Sequence, residues 1–210
     1  MKLTKRILAC VVAIAVMLTS AMTVMAAGSI SKDATADGYK VVVVIEETDI
    51  YKEIKELYPI IAQAILDVNE GKITMTEFVE KIKEEAENVT DETIKESLLD
   101  VASKLEKKIF VTAFYTLIPA ETTEKNADNQ YEVALNVKNL TKELTGIEAL
   151  SYNAEKKTLE IIEIPEKDID VDNHIINIKM DDTSLLAIIA DDPEACLLYT
   201  SPSPRDLSTS

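Results

Sequence analysis

The hydrophobic pattern changes period near residue 108, and this change constrains the fold more than any other feature. Between Asp49 and Lys107, apolar residues recur at three- and four-residue steps, which is typical of amphipathic helices. From Ile109 to Ala190, short runs with a period of two are separated by polar turns, which is typical of strands. Helices and strands that are segregated in this way predict an α+β fold.

The helical part predicts three antiparallel helices joined by short connections. Pro59 interrupts the first apolar stripe, so a kink or a new helix start is expected there. Gly71 is placed to end this helix in a left-handed conformation. Thr74 and Glu77 have the spacing of a capping box that begins the next helix, and Thr90 is the expected N-cap of the third.

Seven strands are predicted, one before the helices and six after them. Short strands at this spacing favour an antiparallel, Ig-like β-sandwich, with the three-helix segment inserted after the first strand. The predicted strands are Val41–Ile45, Ile109–Ile118, Tyr131–Val137, Ile147–Tyr152, Thr158–Ile164, Ile175–Met180 and Leu185–Ala190.

The chain divides by composition into five segments. Order is expected to begin near Tyr39, because the residues before it are small and polar. The segments are a signal peptide (1–27), a flexible lead-in (28–38), a strand with three helices (39–108), the β-sandwich module (109–192) and a non-native or disordered tail (193–210).

The amino-terminal segment has the features of a secretory signal peptide. Three basic side chains precede an uncharged apolar run from Ile7 to Val24, and small residues follow at Ala26 and Ala27. This order predicts export and cleavage after Ala26 or Ala27. A retained membrane anchor is the alternative, because the run is nearly long enough to span a bilayer.

The chain is strongly acidic, with a formal net charge of −16 at pH 7. Nucleic acid is excluded as a partner on this ground, since a polyanion would be repelled. Anionic membrane surfaces are disfavoured for the same reason, whereas cationic partners and divalent cations are compatible with the charge. No integral membrane span is expected after removal of the signal peptide.

Cysteine and arginine are confined to the two ends. Cys10 and Arg6 lie in the leader, and Cys196 and Arg205 lie in the tail. A disulfide, thiol catalysis and a thiolate metal site are therefore not expected in the body of the chain. Residues 196–206 resemble a translated sequencing adapter, so the natural protein is expected to continue past position 195.

Residues 131–190 resemble a β-rich module found near the carboxyl end of many Gram-positive secreted and cell-surface proteins. The resemblance is carried by the strand segments 131–137, 148–152 and 159–162, an Asp-rich turn at 171–173 and a last strand at 183–190. In that module the last strand has a Leu-Ser-Pro-Val-Ala-like pattern, and a sorting signal or membrane helix often follows. The resemblance implies an extracellular protein attached to or released from the cell surface.

Three alternating carboxylates form the candidate metal site. An extended backbone would place Asp168, Asp170 and Asp172 on one face, where calcium would relieve their mutual repulsion. A solvated acidic edge that deters aggregation is the alternative interpretation. The stretch from Asp67 to Glu77 also resembles a calcium-binding EF-hand loop, but it is one residue too short, so a helix stop and a capping box are expected there.

The sequence shows no recognisable catalytic motif. His174 is the single histidine, and the chain has neither a Gly-rich phosphate loop nor a nucleophile elbow. We therefore expect a non-enzymatic extracellular or cell-surface structural or interaction protein, without a cofactor and with an unknown protein or cell-wall partner. An extracellular module that binds calcium or a small ligand is the alternative.

Overall fold

The computed structural model describes residues 30–183 and 185–193. The predicted signal peptide and nearly all of the predicted tail lie outside the described residues. Within them, the chain forms a mixed α+β fold. The helices are α1 (Asp49–Leu57), α2 (Pro59–Asn69), α3 (Met75–Asn88) and α4 (Glu92–Leu105). The strands are β1 (Ala34–Ala36), β2 (Tyr39–Val43), β3 (Lys108–Phe110), β4 (Tyr115–Pro119), β5 (Tyr131–Val137), β6 (Glu148–Asn153), β7 (Thr158–Glu163), β8 (Ile169–Asp170), β9 (Ile175–Met180) and β10 (Leu185–Asp191).

Four helices occupy the region in which three were predicted. The apolar stripe is divided at Tyr58, whose φ of −140° and ψ of 71° are not helical. Pro59 then begins α2 at the first helical position, where its missing N–H costs nothing. Of the two outcomes expected at Pro59, the new helix start is therefore the one observed.

The helix ends follow local chemistry closely. Thr74 and Glu77 form the predicted capping box at the start of α3. Gly71 has a φ of 72°, as predicted for a left-handed residue that follows a helix. The prediction of Thr90 as an N-cap was wrong by one residue, because the carboxylate of Asp91 accepts from the N–H groups of Thr93 and Ile94 instead.

All ten strands belong to one antiparallel sheet. Its order is β7-β6-β10-β4-β2-β1-β5-β9-β8, with β3 also paired to β10. The Ig-like arrangement of two packed sheets is thus not confirmed. The predicted strand Ile109–Ile118 is divided into β3 and β4, since the N–H groups of Val111 and Thr112 between them both donate to the Ile188 carbonyl. β1 lies in the predicted lead-in and pairs with β2 and β5.

Two apolar cores lie on opposite faces of the central strand β10. Leu185, Ala187 and Ile189 join the first core, which contains the inward faces of the helices. Leu186 and Ile188 join the second core together with residues of β5 and β9, strands near the far end of the sheet. The sheet is therefore curled into a half-barrel, whose interior is the second core and whose outer surface carries the helices.

None of the helices within 30–183 and 185–193 combines the length and the apolar character needed to cross a membrane.

Candidate functional site

The most distinctive concave surface lies at the seam of the half-barrel, where the two edge strands β7 and β8 are joined by residues 164–168. Each edge strand pairs with a neighbour on one side only. The groove at this seam has a volume of about 440 Å³. We call it the seam groove, and it is lined by Leu144, Thr145, Gly146, Ile147, Glu148, Glu163, Ile164, Glu166, Ile169 and Val171.

The floor of the seam groove is apolar. Ile147 and Ile164 are buried members of the second core. Leu144, Ile169 and Val171 are partly buried and pack against the same core. Ile169 and Val171 are two residues apart and both line the groove, whereas Asp170 between them is exposed. Ile169 belongs to β8, whereas Val171 lies in the turn that follows this two-residue strand.

The rim of the seam groove is acidic. Glu148 of β6 and Glu163 of β7 are direct partners across the two strands, so their side chains lie on the same face. Glu166 begins the short 3-10 helix that follows. Among the residues that the structure describes, neither Glu163 nor Glu166 forms a direct ion pair, although the charge of Glu163 contributes to raising the pKa of Lys104.

A half-buried lysine fixes one end of the rim. The Lys108 Nζ atom lies 2.7 Å from Glu148 Oε2 and 2.8 Å from Asp191 Oδ1. It also donates to the Gly146 carbonyl oxygen at 3.0 Å, and only 12% of its side chain is exposed. Burial lowers the pKa of Lys108, but the hydrogen bonds to Asp191 and Glu148 outweigh it and leave the pKa above its ordinary value. The ammonium form therefore persists at neutral pH, and a nucleophilic free amine does not form.

The loop before β6 is shaped to fit this ion pair. Gly146 has a φ of 55°, and a Cβ atom at this position would collide with the Asp191 carboxylate. The Asp191 N–H donates to the Thr145 carbonyl oxygen at 2.8 Å. The backbone of Gly146 can thus approach both Asp191 and Lys108.

Two of the three predicted calcium ligands, Asp170 and Asp172, have other side-chain partners. Both carboxylate oxygens of Asp170 accept from Asn173, one from the backbone N–H at 3.0 Å and one from the side-chain amide at 2.7 Å. Asp172 pairs with Lys142 at 2.7 Å, and Asp168 ends the 3-10 helix. No group of three His, Cys, Asp or Glu side chains suited to holding a metal ion occurs among residues 30–183 and 185–193.

The single histidine lies in the turn before β9. His174 is exposed and has a φ of 58°, a left-handed conformation. Its Nδ1 atom lies 2.9 Å from the Leu140 carbonyl oxygen. The imidazole ring thus holds the loop that contains Leu140 against this turn, and it does not line the seam groove.

A second groove differs from the seam groove in its charge. It lies beside β5 and β9, has a volume of about 510 Å³ and includes Glu132 and Lys179. Lys179 Nζ lies 3.3 Å from Glu132 Oε1, so this carboxylate already has a cationic partner. The seam groove combines an apolar floor with two rim carboxylates, Glu163 and Glu166, that form no direct ion pair among the described residues, and it is therefore the better candidate for binding.

Sequence reasoning did not identify Glu148, Glu163 and Glu166 as neighbours. The signal for the first two was present, because the predicted strands Ile147–Tyr152 and Thr158–Ile164 are separated by a short turn and form a hairpin. No comparable signal marked Glu166, because the short 3-10 helix that carries it was not predicted from the sequence.

Comparisons of the chain with protein-family models, with curated proteins and with solved structures found no match.

Proposed function

We propose that this chain is a non-enzymatic extracellular or cell-surface structural or interaction protein, in which the seam groove is the binding surface. The observation that carries the proposal is the combination of an apolar floor with Lys108 fixed as an ammonium ion by Glu148 and Asp191. An apolar floor favours the burial of a partner's side chains. A lysine that is held as an ammonium ion at neutral pH can position neighbouring groups, but it is not a nucleophile in that form.

The extracellular part of the proposal depends on the amino-terminal segment. Basic residues, an apolar run and small residues at Ala26 and Ala27 are the features that the export machinery and signal peptidase recognise. The acidic character of the chain is compatible with a soluble exported protein and with cationic partners.

Cell fractionation with mass spectrometry tests this proposal. We expect the full chain, produced in a Gram-positive host, to be recovered from the medium or the cell wall with an amino terminus at Ala27 or Gly28. A control variant with Ile14→Asp and Leu18→Asp interrupts the apolar run and is expected to stay in the cytosol. Recovery of the unaltered protein from the cytosol with its leader attached would contradict the proposal.

A further inference from the structure

Glu163 of β7 and Ile169 of β8 both line the seam groove, and these two edge strands of the described sheet are not paired with each other. β7 is paired to β6 and β8 is paired to β9, so each has one side that faces no strand. An unpaired strand edge presents backbone N–H and C=O groups that an added strand can use. The groove reaches the carboxyl end of β7 and the two-residue strand β8, so an extended segment in it would have apolar contacts and would lie beside these unpaired strand sides.

We propose that the seam groove binds an extended, basic segment of a partner protein by strand addition. This inference rests on the proposed function and deepens it, since it names the class of partner. Main-chain hydrogen bonds supply affinity in this mode of recognition, and sites for alternate side chains supply specificity. Apolar side chains of the segment pack on Ile169 and Val171, and the alternate basic side chains reach the acidic rim.

The charge of the rim selects a cationic occupant. Glu163 and Glu166 are exposed, line the groove and have no ion-pair partner among the described residues. Glu148 is already neutralised in part by Lys108, so Glu163 and Glu166 are the carboxylates that a lysine or arginine of the partner would meet. Complementary charges of this kind direct encounter and fix the register of the bound segment.

A second copy of the chain fits the groove less well. Each copy carries a formal net charge of −16, so two copies repel each other at long range. The same negative net charge attracts a basic segment.

Fluorescence anisotropy with labelled peptides and the full chain tests the proposal. The probes are a peptide of alternating lysine and valine, the same peptide with glutamate in place of lysine, and the lysine peptide with alternate backbone amides N-methylated. We expect the lysine peptide to bind saturably and the glutamate peptide not to bind. N-methylation is expected to weaken binding because it removes the backbone donors of strand addition.

A pair of variants with the same change in net charge separates the groove from general attraction. We expect Glu163→Lys with Glu166→Lys to weaken binding of the lysine peptide at least about tenfold. The control, Glu84→Lys with Glu87→Lys on the exposed side of α3, is expected to change affinity less than about twofold. Circular dichroism verifies that both variants are folded.

Several outcomes would overturn the inference. These are equal weakening by the two pairs of variants, equal binding of the basic and acidic peptides, unchanged binding after N-methylation, and a dimer in sedimentation that the rim substitutions dissociate. Failure of peptide binding by a protein that is nevertheless exported would leave the proposed function standing. Retention in the cytosol would contradict the proposed function whatever the peptides do.

Discussion

Lys108 is the residue whose environment most clearly combines structure with charge. It neutralises Glu148 and Asp191 at a site where only 12% of the lysine side chain and 23% of the Glu148 side chain are exposed. Replacement by methionine leaves two carboxylates close together without a cation. We expect Lys108→Met to lower the free energy of unfolding by about 1–3 kcal/mol, measured by urea denaturation.

An exposed ion pair provides the matched control for this substitution. The side chains of Lys142 and Asp172 are 76% and 77% exposed, so Lys142→Met is expected to change stability by less than about 0.5 kcal/mol. Equal effects of the two substitutions would refute the role given to Lys108.

The stabilising contribution of Lys108 also depends on pH. Because the folded-state pKa of Lys108 is raised above its ordinary value of 10.5, its contribution to the free energy of unfolding is complete below pH 10.5. This contribution is lost as the pH rises through the folded-state pKa.

At the scale of single elements, the start of α2 depends on a residue of another helix. Tyr58 supplies no side-chain cap. The buried Glu85 of α3 takes this role, since its Oε2 atom accepts from the N–H groups of Ile60 at 2.6 Å and Ile61 at 3.3 Å. A carboxylate at this position also interacts favourably with the positive end of the helix dipole.

Removal of this carboxylate tests whether α2 needs it. We expect Glu85→Ala to cost about 2–3 kcal/mol in chemical denaturation, because the buried N–H group of Ile61 and the partly buried N–H group of Ile60 lose their acceptor. Glu85→Gln retains an oxygen acceptor and is expected to cost less. The exposed Glu87 of the same helix is the control, and a loss at Glu87→Ala as large as that at Glu85→Ala would contradict the capping role.

The elements themselves were largely predictable from local pattern. The strands Tyr131–Val137 and Ile175–Met180 were predicted at their observed bounds, because alternating side chains reveal a strand with one buried face. The capping box at Thr74 is also local chemistry. Glu85 could not be recognised in this way, since its partners lie in a different helix and its spacing on α3 is that of an ordinary core-facing position.

At the scale of the whole molecule, the sequence predicts the α+β class but not the way in which the strands associate. The apolar run of β10 is continuous from Leu185 to Ala190, and both faces of the strand are buried. A sandwich and a curled sheet both bury such a strand, so the pattern alone does not distinguish them. The seam groove forms where residues 144–148, at the start of β6, lie beside residues 163–171, which end β7 and lead into β8.

The proposed binding requires that the seam be open in solution, and amide hydrogen exchange measures this most directly. β10 is paired on both sides, with β6 on one and with β3 and β4 on the other, so its amides are expected to exchange only through global unfolding. We expect the amides of β8 and of residues 164 and 166–168 to exchange through local opening, at free energies well below the global value. Protection at β8 equal to that at β10 would contradict an open seam.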